Sequence, residues 1–114
     1  MKVLKTNIPK VSKNYLKIET SGLSKEKDTI ITIGIIEKDS KELKNFYIEN
    51  LKDEEKLLEY TIPLIENKEF VTFSGKNFDF PFLNSKSKFY FDREINTQFI
   101  DLQEVSKKYN YLFN

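Results

Sequence analysis

Asn14-Tyr15-Leu16-Lys17-Ile18-Glu19-Thr20-Ser21-Gly22-Leu23 begins as an apolar strand and ends in a Ser-Gly turn. Strand side chains alternate between faces, so Lys17 and Glu19 share one face, roughly 7 Å apart. Charges on a strand inside a core are costly unless they are paired or bind a metal. The stretch is therefore either a sheet edge or a site, and the rest of the chain decides which.

Before it, Met1 to Lys13 mixes Lys, Ser, Thr and Pro9 without periodicity and reads as a loose leader or a short edge element. After it, Ser21 to Asp28 is a polar connection in which Gly22 supplies the turn. Thr29 to Glu37 is β-branched and apolar on both faces, which belongs in a sheet interior, and Gly34 within it suggests a bulge or a close backbone approach. Glu42 to Glu49 reads as a third strand, and the short links predict an antiparallel meander. The period then changes. From Asp53, the positions Leu57, Leu58, Ile62 and Ile65 follow helical spacing, with Asp53, Glu54 and Glu55 in a first turn that favours acids and Pro63 expected to kink or end the helix. Phe70 to Ser74 is a fourth strand, parallel to the first if the helix is its crossover. Asn77 to Asn84 starts a helix, with Asp79 as an acidic cap and Pro81 in the first turn. Phe99 to Leu102 is a short fifth strand, and a last helix begins at Gln103. Three antiparallel strands followed by alternating helix and strand predict an α/β domain with a mixed sheet. Sites in such sheets gather at strand ends beside the parallel part, which brings Lys17 and Glu19 toward the loop carrying Asp79.

The 114 residues (13.6 kDa) are expected to form a single domain over residues 1–114, with ten Phe and six Tyr supplying large burial per side chain. There is no cysteine and no histidine. Disulfides, thiolate zinc sites, histidine bases and Ser-His-Asp triads are thereby excluded within this chain, and any catalysis falls to carboxylates, Lys, Tyr, hydroxyls or an oxygen-held metal. A net charge of +1 gives no overall attraction to nucleic acid, so such binding needs a local patch. No window is apolar enough to span a bilayer, and the expectation is a cytoplasmic protein with no membrane association.

Three stretches carry a resemblance: Ile18-Glu-Thr-Ser-Gly-Leu23, Ile30-Ile-Thr-Ile-Gly34 and Val71-Thr-Phe-Ser-Gly-Lys-Asn-Phe-Asp-Phe-Pro-Phe-Leu83. Together they resemble the ribonuclease H-like 3′–5′ exonuclease superfamily of DEDD type, most of all its YprB-like branch of predicted exonucleases. The likeness runs from about Tyr15 to the end of the chain, and Asn-Phe-Asp-x-Pro-x-Leu is its most specific part. It implies a ribonuclease H-like mixed sheet and nucleic-acid phosphodiester hydrolysis by two Mg²⁺ or Mn²⁺ ions held by four acidic residues. Such ions, about 3.5–4 Å apart, generate a hydroxide and stabilise the leaving oxygen. By the same resemblance Glu19 and Asp79 are metal ligands and catalytic residues. Thr20, Gly22 and Leu23, with Asn77 and Phe78, would receive the terminal nucleotide of a single-stranded DNA or RNA end.

Two departures weigh against activity. The first-strand pattern of the family is Asp-x-Glu, and Lys17 stands at the Asp position. Two unit charges 4 Å apart interact by about 4 kcal/mol at an effective dielectric near 20, and repulsion of a divalent ion doubles this. Lys17 is expected to pair with Glu19 and Asp79 and fill the cavity with its own cation. The family's last acidic motif also has no counterpart: Asp101-Leu102 matches a run that is not among the four ligands, and Tyr109 to Asn114 supplies no Tyr-x-x-x-Asp. The chain resembles a shortened, degenerate member.

Blander readings stand beside these. Glu19 reads as a strand-end carboxylate paired with Lys17, Lys17 as a side chain snorkelling from an open strand, and Asp79 as a helix cap. Phe78, Phe80 and Phe82 read as core. Lys86, Lys88 and Arg93 read as a solvated loop rather than a phosphate patch, and Lys107-Lys108 as a charged helix end. Three functions remain open: an exonuclease-family domain with impaired or lost catalysis, a non-catalytic module binding nucleic acid or protein through the old cleft, and a shortened product. Apolar sheet surface left uncovered would be buried by a second copy or a protein partner.

Overall fold

A computed structural model describes residues 1–106. It is a six-stranded mixed sheet in the order β1-β4-β3-β2-β5-β6. The strands are β1 (Lys2–Asn7), β2 (Tyr15–Thr20), β3 (Ile30–Ile36), β4 (Glu42–Tyr47), β5 (Glu69–Thr72) and β6 (Gln98–Asp101), with α1 (Glu54–Ile65) before β5 and α2 (Phe80–Phe91) between β5 and β6. The expected meander forms, because β2, β3 and β4 pair antiparallel in sequence. The expected crossover forms too: β5 lies parallel to β2, and β6 parallel to β5. Of the two readings of the N-terminal segment the edge element is correct, for β1 pairs antiparallel with β4 at the sheet margin. Residues 102–106 are helical, and Lys107-Lys108 and Tyr109 to Asn114 lie outside the described residues.

The alternation anticipated from β2 sorts the sheet into two unlike faces. Leu16 and Ile18 pair with Ile35 and Ile33 and join Leu57, Leu58, Ile62, Phe70, Phe82 and Leu83 in one buried cluster. Fully burying side chains of this size stabilises by roughly 1.5–3 kcal/mol each, so this face holds the fold together. On the opposite face, Tyr15, Lys17, Glu19, Val71, Phe73 and Leu102 border a groove of about 360 Å³.

Three local expectations change. Pro63 sits inside α1, which continues to Ile65 before Glu66 turns extended, so the proline falls in the last turn and does not terminate the helix. Gly34 keeps regular register with Lys17 and Asn45; the register shift lies instead between Glu19 and Thr20. A Cβ at Gly34 would stand 2.7 Å from Asn45 Oδ1, so the glycine makes room for a cross-strand amide. Asp79 does not cap α2. It has helical dihedrals and makes no capping bond, because a single π turn (Gly75–Asp79) precedes the helix and its carboxylate is engaged elsewhere.

Candidate functional site

Lys17 and Glu19 lie side by side on the open face, with Nζ 3.8 Å from Oε1 and side chains 78% and 66% exposed. They are not charges inside a core. β2 buries only its other face, and water solvates both groups. At such exposure the attraction falls to about 1 kcal/mol or less. The expected three-way pairing is therefore corrected. Lys17 contacts Glu19, but among the described residues it forms no ion pair with Asp79, and its ammonium does not fill a buried cavity.

Asp79 is buried and comes from the other side. The π turn carries it to β2, where its Oδ2 accepts the Ile18 N–H at 3.0 Å. Burial pushes its carboxyl above the usual carboxylate range, against the opposing effects of the Ile18 N–H and the Lys17 charge. The topology thus brings the loop after β5 to β2, as expected, yet joins them through a backbone amide.

The turn after β2 is braced by a residue that sequence reasoning overlooked. Asp28 accepts from Ser24 N–H at 2.9 Å and from Ser21 Oγ at 3.2 Å. Thr20 Oγ1 donates to Gly22 O at 2.5 Å. Gly22 does not have a positive φ; a Cβ there would meet Asp28 Oδ2 at 2.5 Å, so the position needs space rather than a left-handed backbone. Beyond this turn, Leu23, Lys25, Asn77, Phe78 and Pro81 line a second groove of about 280 Å³. Leu23 is 87% exposed, and Phe78 packs half-buried against Phe82 at 5.4 Å between centroids. Of the five residues the resemblance assigns to nucleotide contact, Leu23, Asn77 and Phe78 line this groove, whereas Thr20 and Gly22 shape the turn behind it.

Sequence reading also missed a buried polar cluster. Glu54 turns inward from the start of α1, accepting from Ile30 N–H and Tyr90 OH, each at 2.6 Å, and pairing with Lys86 Nζ at 3.2 Å. Lys86 is accordingly no solvated loop residue: it is buried on α2. The spacing of Lys86 and Tyr90, four apart on a helix, was the available signal. Burial, followed by the Glu54 bond, pushes the Tyr90 phenol well above its ordinary range. Lys88 pairs with Glu94 and Arg93 with Glu66, so this basic set is committed to intramolecular partners.

Divalent ions need several hard oxygen ligands within one shell. Among the described residues no three acidic side chains converge closely enough for that. Glu19 faces the open groove beside an ammonium, and Asp79 is engaged with Ile18. The donor set described does not fit a two-metal centre.

Comparison with known proteins gives one family. Residues 14–112 match the model of the RNase H superfamily, which covers nearly the whole chain. No curated protein matches it.

Proposed function

The chain belongs to the RNase H superfamily, and from that premise we propose that it is a domain of the 3′–5′ exonuclease kind, YprB-like, whose hydrolytic step is lost and whose cleft engages the end of a single nucleic-acid strand. The observation that carries this reading is the Lys17 ammonium 3.8 Å from Glu19. It stands where the resemblance places the carboxylate that ligates both metals. A divalent ion at Glu19 would meet a positive charge in place of a ligand, so Mg²⁺ or Mn²⁺ would belong only to an active version of the site. Support for retained binding comes from the second groove, where an exposed Leu23, the Phe78 ring and Lys25 together offer an apolar edge, an aromatic surface and a cation. Bases stack on such surfaces without sequence preference, and a lysine contributes phosphate attraction.

A second reading has its own observation. The open groove is bordered by Val71 and by Phe73, which is 68% exposed, a surface suited to a protein partner. End-labelled single-stranded DNA and RNA, titrated at two salt concentrations and then incubated with Mn²⁺, separate these cases. The nucleic-acid reading expects binding at low salt that weakens as salt rises, with no shortening of the strand. Absence of binding at low salt overturns it in favour of the protein partner. Degradation by the unaltered chain, whether or not Glu19→Ala removes it, overturns the loss of hydrolysis.

A further inference from the structure

Asp101 is a buried acid that the resemblance leaves without a role, and its surroundings give it one. It ends β6 in register with Thr72, the last residue of β5, and is only 2% exposed. One oxygen, Oδ1, accepts two backbone bonds: from Ser74 N–H at 2.8 Å and from Gln103 N–H at 2.9 Å. Ser74 is the residue at which the chain leaves β5, in a left-handed conformation (φ 62°) that gives its N–H no regular ladder partner. The next residue, Gly75, lies so close over Thr72 that a Cβ there would approach Thr72 Oγ1 to 2.1 Å. From this corner the π turn runs directly to Asp79 and its bond to Ile18, with Phe78 N–H bound to Ser74 O at 3.0 Å on the way. Two side-chain links, Ser74 Oγ to Gln103 Oε1 at 2.5 Å and Lys76 Nζ to Glu104 Oε2 at 3.1 Å, join the same two segments.

We propose that Asp101 is a positioning residue: its Oδ1 clamps the corner after β5 to the segment after β6, and through that corner aims Asp79 at β2 and sets the wall of the groove that carries Asn77 and Phe78. Its importance for strand binding rests on the function proposed above, but the clamp itself does not. A carboxylate suits the position because a single carbonyl-type oxygen has two lone pairs and can accept from two N–H donors at once. The second oxygen, Oδ2, has no partner among the described residues, nor has Thr72 Oγ1. An amide at 101 that keeps Oδ1 therefore keeps both clamping bonds.

Backbone amide hydrogen exchange on the free protein tests the clamp without nucleic acid. Asp101→Ala is expected to speed exchange at Ser74, Gln103 and Ile18 by about tenfold or more beyond the change at core amides such as Leu57. Asp101→Asn is expected to restore slow exchange at all three. Leu58→Ala, a cavity mutation in the distant core, should raise exchange uniformly. If Asp101→Ala does not fold, Asp101→Ser replaces it: a short hydroxyl reaches Gln103 two residues on but not Ser74, so Ser74 and Ile18 should open while Gln103 stays protected. Uniform acceleration in the Asp101 variants, as in Leu58→Ala, would reduce Asp101 to general stability. An Ile18 amide that stays protected while Ser74 opens would break the link to Asp79. Titrated with a single strand at low salt, Asp101→Ala (or Asp101→Ser in its place) should bind more weakly than the unaltered chain, and Asp101→Asn should bind like it. Failure of the unaltered chain to bind would remove the proposed function and leave the exchange result standing.

Discussion

The two faces of the sheet treat charge in opposite ways. On the helix-covered face Glu54, Lys86, Asp79 and Asp101 are all buried and bonded to backbone or to one another. On the open face Lys17 and Glu19 touch at 3.8 Å but stay mostly in water. The first set ties helices, strands and corners together through particular partners: Glu54 to Ile30 and Lys86, Asp79 to Ile18, and Asp101 to Ser74 and Gln103. The second costs the fold little, because water solvates both groups. A charged residue on a strand is thus informative only once its face is known.

The largest expected effect lies on the covered face. Glu54→Ala strands the Lys86 ammonium and leaves the Ile30 N–H and Tyr90 OH without their acceptor, and should cost about 3–5 kcal/mol in urea unfolding. Adding Lys86→Met to Glu54→Ala should recover only the part of that loss due to the stranded ammonium, since the Ile30 N–H and Tyr90 OH still lack their acceptor. A loss under about 1 kcal/mol for Glu54→Ala would place the cluster with the surface pairs.

Asp79 gives a smaller effect with a pH signature. Its folded carboxyl titrates above its unfolded value, so the charged form is a burden at neutral pH, and that burden disappears as pH falls through the folded value to below the unfolded one. Asp79→Asn keeps an acceptor for Ile18 and removes the buried charge. It should raise the unfolding midpoint modestly at pH 7, with the gain fading as pH falls toward about 4. A gain that grows on acidification would reverse the assignment. The smallest effect belongs to the open face, where Glu19→Ala should alter stability by no more than about 0.5 kcal/mol.

Much of this contrast was legible in the sequence, through period. Alternation placed Lys17 and Glu19 together, the β-branched run of β3 put it inside the sheet, and the change to helical spacing at Asp53 marked the crossover that makes β5 parallel to β2. What escaped were long-range polar bonds, which leave no period. Nothing local tells that Glu54 turns inward to the Ile30 amide 24 residues away, or that Asp79 binds a strand amide instead of capping its helix. Both positions look like ordinary first-turn acids, and tertiary partners decided otherwise. The sheet was readable because it repeats; polar bonds between distant segments do not.

The proposed function requires above all that Lys17 stands in place of a metal ligand. Mn²⁺ titration followed by loss of the free-ion paramagnetic signal tests it most directly, on the unaltered chain, Lys17→Asp and Lys17→Asp with Glu19→Ala. No specific uptake is expected of the unaltered chain, measurable uptake once Asp-x-Glu is restored, and its loss again without Glu19. Uptake by the unaltered chain as tight as that of Lys17→Asp would contradict it.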